Sequence, residues 1–287
     1  MTCTPFEIRH AVSRNQRRKR EASLEMALIS DVRNQYHHPV ITLAQSLEFI
    51  LTHFNQANLF PRKISTKTTQ GKQFTVYNKE EALVRFNQAN RLDCRISAYH
   101  AIDWRTGLNK LIAPDFLFMD LDLGTLQTMQ ALNAALADTL RRIKEKLGGV
   151  PSVIWSGNGY HVYQPVYAFI LEEQEIFSKF AQPSRGLIRF AEQYLTNNKM
   201  DKCHNHTQSL KNCMARIPYS YNSKSSPPKQ VKIIQRWDGK RPDVRPLLHG
   251  CYIYLQDQRV KEILRQQRYG EQDQAERHYC HYWKTTN

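Results

Sequence analysis

Apolar residues recur along this chain with two periods, and the switches between them outline its elements. Between Glu21 and Phe60 the pattern is mostly helical, with Leu43, Leu47, Ile50, Leu51 and Phe54 spaced by three and four residues, and Pro61 closes that region. Phe74–Tyr77 reads as a short strand, Lys79–Ala89 as a helix, and Cys94–Ile102 alternates as a half-buried strand does. After Pro114 the run Phe116-Leu117-Phe118-Met119 leads into Asp120-Leu121-Asp122, an apolar strand that ends in two acids. Leu126–Leu147 is predicted to be a helix, with Met129, Leu132, Leu136, Leu140, Ile143 and Leu147 on one side and Gly148-Gly149 as its stop.

Pro151–Trp155 and Tyr160–Ile170 read as strands joined by the turn Ser156-Gly157-Asn158-Gly159. Glu172–Leu195 is helical with a break near Pro183, and Asn197–Asn212 is polar and irregular. Met214–Ile217, Val231–Trp237 and Cys251–Leu255 are strand candidates, and Val260–Asn287 is a polar helical tail. Strands mixed with helices predict an α/β or α+β layered domain around a mixed or antiparallel sheet.

Composition narrows the partners. The chain has 287 residues, 41% of them apolar and 23% charged, enough for a sizeable core. No run of 18 apolar residues suggests a membrane span. The start, MTCTPFEIRHAVSRNQRRKR, lacks an apolar signal-peptide region, so a cytoplasmic protein is expected. The formal net charge of +15 favours a polyanion as partner, because bound nucleic acid releases counterions. The basic run Arg14, Arg17, Arg18, Lys19 and Arg20 suits nonspecific phosphate contact, although such runs are commonly just solvated. Charge alone does not separate an enzyme from a binder.

Three segments carry candidate chemistry. Asp120 and Asp122, two apart on a strand, point to the same face, and carboxylates held that close call for a cation. Magnesium or manganese suits oxygen ligands. The alternative is a strand end facing water, which the apolar run before the acids disfavours. In Ser156-Gly157-Asn158-Gly159-Tyr160-His161, two glycines permit a tight turn with exposed N–H groups, suited to phosphate or to a plain hairpin. Arg216-Ile217-Pro218-Tyr219-Ser220-Tyr221-Asn222-Ser223-Lys224 sets cations and polar groups around a proline bend.

Together, over about residues 74–245, these segments resemble the archaeo-eukaryotic primase superfamily, which includes the primase small subunit and plasmid or viral primase–polymerases. FLFMDLD (Phe116–Asp122) is similar to its hhhDhD strand, SGNGYH (Ser156–His161) to its S-G-x-G-x-H element, and RIPYSYNSK (Arg216–Lys224) to its third motif, which follows a third acid. The resemblance implies an α+β primase–polymerase fold with a mixed or antiparallel, RRM-like central sheet flanked by helices. It further implies residues 61–255 as the catalytic domain, between a basic and helical segment (1–60) and a helical tail (256–287). Asp120, Asp122 and Asp201 would hold two Mg²⁺ or Mn²⁺ ions. Ser156, Gly157, Gly159, His161, Arg216, Ser220, Asn222 and Lys224 would surround the incoming nucleotide. Asn222 stands where the primase small subunit has a histidine, and Asp238 and Asp243 are fallbacks for the third acid.

The implied activity is template-directed primer synthesis or extension on single-stranded DNA from NTPs or dNTPs. A gap-filling repair polymerase of the same superfamily and a noncatalytic nucleic-acid-binding subunit are the alternatives. No helicase-type P-loop is present, so unwinding would come from a partner such as a helicase or replication initiator.

The six cysteines are widely spread and expected to be mostly reduced. Cys203, His204, His206 and Cys213 have the makings of a zinc knuckle, against the alternative of free thiols and surface imidazoles. His278, Cys280 and His281 form a weaker cluster in the tail.

Overall fold

The computed structural model describes residues 42–100, 114–200 and 213–263, which belong to one compact unit beginning at Thr42. The expectations for Arg14–Arg20, Asp201, Cys203, His204, His206 and the tail cluster lie outside the described residues.

Helix α1 (Leu43–Leu51) starts at a capping box, in which the Thr42 hydroxyl accepts from Gln45 N–H and the Gln45 side chain accepts from Thr42 N–H. It is followed by strands β1 (Arg62–Ser65) and β2 (Phe74–Val76), helix α2 (Lys79–Gln88), capped by Asn78, and strand β3 (Arg95–Ser97). Strand β4 (Phe116–Asp122) leads through a one-turn helix α3 (Leu123–Leu126) into α4 (Met129–Leu147), which ends on Gly148 at φ 72°. Strands β5 (Ser152–Trp155) and β6 (Gly159–Pro165) form a hairpin, and α5 (Pro183–Leu195) begins with proline in its first turn. Four short strands follow: β7 (Met214–Arg216), β8 (Tyr221–Asn222), β9 (Lys229–Gln230) and β10 (Lys232–Gln235). The last described helix, α6, runs over residues 245–263.

The strands form two four-stranded sheets, in the orders β2-β1-β3-β7 and β10-β5-β6-β4, and a β8-β9 ribbon. Every pairing between named strands is antiparallel. In the second sheet β4 and β5 run the same way, separated by β6 and joined by α4, a split β-α-β unit. The expected RRM-like order would put the final strand beside β4. Here β10 pairs with β5, and β4 is an edge strand. The outer edge of β4 is met by α5, whose Glu192 accepts from Asp120 N–H at 3.4 Å.

Two cores explain why β4 is almost continuously apolar. Phe116 and Phe118 join a core with Ile154, Tyr163, the Ile64, Ile96 and Ala215 face of the first sheet, and α1. Leu117, Met119 and Leu121 join a second core with Leu132, Leu136 and Ile143 of α4, and Leu187 and Leu195 of α5. A strand buried on both faces cannot alternate with polar residues until it leaves the core, and Asp120 marks that exit.

The strand expected at Cys251–Leu255 is helical. Leu247, Cys251 and Leu255 are buried while Ile253 is 53% exposed, a four-residue period that a five-residue apolar stretch disguised. Strand β1 was not expected at all, because its sequence RKIS is short and half charged. Among the described residues, no helix is long and apolar enough to cross a membrane.

Candidate active site

The acids of β4 leave the first core on the face that carries Phe116 and Phe118. Cross-strand register sets Asp120 directly opposite His161, and Asp122 opposite Gly159. His161 Nε2 lies 3.6 Å from Asp120 Oδ1, beyond a good hydrogen bond but within electrostatic reach. His161 is nearly buried at 8% side-chain exposure and Asp120 is open at 24%, so the pair forms a mouth with the imidazole as its wall. The Phe118 ring packs edge-on against His161 and lies stacked on Tyr163.

Asp122 is held from two sides. Its Oδ1 accepts from Gly124 N–H at 2.7 Å, capping α3, and Asn158 Nδ2 lies 3.3 Å from each carboxylate oxygen. The turn Ser156–Gly159 is thereby tied to the acid strand, and Leu123 N–H donating to Asn158 O at 2.9 Å completes the link.

The glycines of this turn have structural reasons. Gly157 has φ +96°, and a Cβ there would lie 3.0 Å from Asn222 Cβ. A Cβ on Gly159 would lie 2.1 Å from Leu121 O, so β4 and β6 close up only because the side chain is absent. Ser156 donates its hydroxyl to Gly159 O at 3.1 Å, and its carbonyl accepts from Asn222 Nδ2 at 2.7 Å. Asn222, buried at 3% exposure, thus clamps the β8-β9 ribbon onto the turn. Ser220 donates its hydroxyl to Ile217 O at 2.6 Å and shapes the proline bend, while Lys224 is exposed.

Arginines complete the site. Arg95 and Arg216 are in register on β3 and β7. Their neighbours Ile96 and Ala215 face the first core, so both guanidinium stems leave from the opposite face of that sheet. Arg216 Nη1 lies 3.3 Å from Asp93 Oδ1, and Asp93 also accepts from Ser223 O–H at 2.5 Å and Ser223 N–H at 3.3 Å. Burial pushes the Asp93 carboxyl up, but the Ser223 hydrogen bonds and Arg216 outweigh it and hold it below the ordinary value. Among the described residues, Arg95 has no such anchor and its buried Nε has no hydrogen-bond partner, and burial, with the neighbouring Arg216 charge, lowers its pKa to about 10. Asp93 and Asp120 are the carboxylates that act on it from nearby.

The expected site residues therefore divide. Asp120, Asp122, His161, the Ser156–Gly159 turn, Arg216 and Asn222 are joined by register and hydrogen bonds. The fallback acids are not with them. Asp238 N–H donates to Val150 O, just before β5, and Asp243 follows Pro242, whose carbonyl accepts from Tyr167 N–H just past β6. Both sit at the other end of the second sheet, roughly 20 Å from Asp122 at about 3.3 Å per strand residue. Neither reaches the Asp120–Asp122 pair. Cys213 is buried at 3% exposure, and burial raises its thiol well above the ordinary range.

Asp93, Arg95, Tyr163 and Glu192 were not expected. Tyr163 had one legible signal, since it lies two residues after His161 and shares its strand face. As a fit for divalent metal, Asp120 and Asp122 offer hard oxygen donors from one strand face, the donor type that Mg²⁺ and Mn²⁺ prefer. Among the described residues no group of three His, Cys, Asp or Glu side chains converges on one metal position.

No family model matches the chain, and no curated protein matches it. Among solved structures, the chain is similar to that entitled "Crystal structure of primase RepB'", at 15% identity and a TM-score of 0.40 over 79% of this chain and 67% of that one. It is also similar to "Crystal structure of the catalytic domain of primase Repb' in complex with initiator DNA", at 14% identity and a TM-score of 0.41 over 78% of this chain and 98% of that one.

Proposed function

We propose that the chain is a template-directed nucleotidyltransferase of the primase–polymerase type, which makes or extends primers on single-stranded DNA from nucleoside triphosphates. The observation that carries this reading is the cross-strand pairing of Asp120 with His161. It sets a carboxylate beside a hydrogen-bond donor, with the guanidinium of Arg95 acting on the same acid. A site of both signs suits a triphosphate that arrives with its own cations. A protein that only binds nucleic acid gains nothing from Asp120 and Asp122, since uncompensated carboxylates repel phosphates.

Mg²⁺ or Mn²⁺, held by Asp120, Asp122 and Asp201, would neutralise the triphosphate and lower the pKa of the attacking 3′-hydroxyl. The chain's own residues bind and orient. His161 donates from Nε2 to a phosphate oxygen at the mouth. Arg95 and Arg216 neutralise phosphate charge through preorganised N–H groups, with Arg216 held in place by Asp93. Lys224, exposed beside the ribbon, would add a further positive charge for the triphosphate. Ser156, Ser220 and Asn222 hold the turn and the bend in shape around the nucleotide.

The test is incubation of the full chain with single-stranded template, labelled NTPs or dNTPs and Mg²⁺ or Mn²⁺, with and without a primer. Labelled product is expected, and product without a primer establishes priming. Asp120→Asn should abolish incorporation and leave binding to single-stranded DNA intact or stronger. DNA binding without incorporation under all conditions would leave a binder and refute the enzyme, and full activity of Asp120→Asn would refute the role given to Asp120.

A further inference from the structure

His161 can act as a donor at the mouth only if its outward nitrogen carries a hydrogen, and the choice is made behind the ring. Tyr163 is buried at 0% exposure, two residues along β6 on the same face. Its Oη accepts from Arg216 N–H at 3.0 Å and lies 3.0 Å from His161 Nδ1. A buried phenol is protonated at neutral pH, and its hydrogen needs an acceptor. Arg216 N–H is a donor, so among the described residues His161 Nδ1 is the acceptor left to it.

We infer that Tyr163 is a positioning residue that locks neutral His161 as its Nε2–H tautomer, aiming that hydrogen at the anion entering beside Asp120. The opposite tautomer would set an Nδ1–H against the Tyr163 hydroxyl and strand the phenolic hydrogen in the core. An unmade buried hydrogen bond costs about 1–3 kcal/mol, enough to bias the tautomers by roughly five-fold to more than a hundred-fold. The same hydroxyl ties the edge of β7, and so the start of the RIPYSYNSK segment, to the histidine of the SGNGYH segment. A shift of the proline bend would thereby be felt at the imidazole.

The tautomer is independent of what the site catalyses, whereas its kinetic consequence rests on the proposed nucleotidyl transfer. The decisive measurement is a long-range ¹H–¹⁵N correlation spectrum of ¹⁵N-histidine-labelled full chain at pH 8. His161 is assigned by the signals lost in His161→Gln, since the chain has 11 histidines. The expected wild-type pattern is an unprotonated Nδ1 and a protonated Nε2, and Tyr163→Phe should show both tautomers. A protonated Nδ1 in the wild type would overturn the inference, and that spectrum decides even if Tyr163→Phe folds poorly.

In steady-state incorporation, Tyr163→Phe should lose roughly 5–10-fold in kcat/KM, mainly through a raised nucleotide KM. It should add little to the loss caused by His161→Gln, because both changes remove one interaction. Additive losses would make Tyr163 merely structural and overturn its positioning role. A wild-type chain without incorporation would sink the enzymatic reading while the spectra still decide the tautomer.

Discussion

Gly159→Ala tests the geometry on which the Asp120–His161 pair depends. The added Cβ would lie 2.1 Å from Leu121 O and 3.0 Å from Asp122 Cα, both backbone atoms of the paired strand. A close carbon–oxygen contact settles near about 3.3 Å, so β4 and β6 must part by roughly 1 Å at the Asp122–Gly159 pair. Overpacking of this kind costs about 1–3 kcal/mol, and a weakened ladder hydrogen bond adds about 1. The expected loss is about 3 kcal/mol, or a Tm lower by about 6–12 °C for a domain of this size.

Asp120–His161 is two residues further along β4 and should open with it, so incorporation should fall more than stability does. Gly71→Ala is the control. Gly71 has φ +81° but nothing within 4 Å of a Cβ, so only the backbone penalty of about 1–2 kcal/mol applies, without effect on activity. Differential scanning calorimetry and incorporation assays on both variants decide the matter. A Gly159→Ala protein no less stable than Gly71→Ala, with wild-type incorporation, would refute the close strand approach.

Other consequences follow from the buried charges. Arg95→Met removes a half-buried guanidinium whose Nε has no partner among the described residues, so stability should change by less than about 1 kcal/mol while nucleotide KM rises roughly 10-fold. An unchanged KM in initial-rate assays would exclude Arg95 from phosphate binding. Asp93→Asn strands Arg216, which is 4% exposed, and should cost about 2–3 kcal/mol by chemical denaturation. The Asp93 pKa is lowered on folding, so its stabilisation is present above the unfolded carboxylate pKa and is lost as pH falls through the folded value. Asp93→Asn should therefore flatten the acid limb of stability, and an unaltered limb would count against the pair.

His53 behaves in the same direction for a different reason. Burial lowers its pKa from 6.5 to about 4, outweighing the Phe49 carbonyl that accepts from it. The unfolded chain therefore binds its proton first, and stability should fall by about 3 kcal/mol as pH drops from 6.5 to 4. His53→Gln should weaken that slope in urea titrations, and an identical slope would remove His53 as its source.

Local pattern determined a good deal of this protein. The run Phe116–Met119 with acids at 120 and 122 reads as a strand leaving a core, and the 19-residue helix α4 announced itself by period, cap and terminal glycine. Helix α2 and the β5–β6 hairpin were readable for the same reason, since their signals lie within a few residues of each other. Cys251–Leu255 was misread because five apolar residues fit either period, and only contact with α5 and the second core selected the helix.

What tertiary structure alone decided is which distant groups meet. Arg216 finds Asp93 across 123 positions, Asn222 finds Ser156 across 66, and Tyr163 reaches Arg216 across 53. Sheet register also removed Asp238 and Asp243 from the site, although along the chain Asp238 is the acid nearest to the basic motif. Periodicity records how a segment meets water and core within its own few turns. Pairing between segments is set by backbone hydrogen bonds and close packing, and these leave no mark on the spacing of residues along one strand.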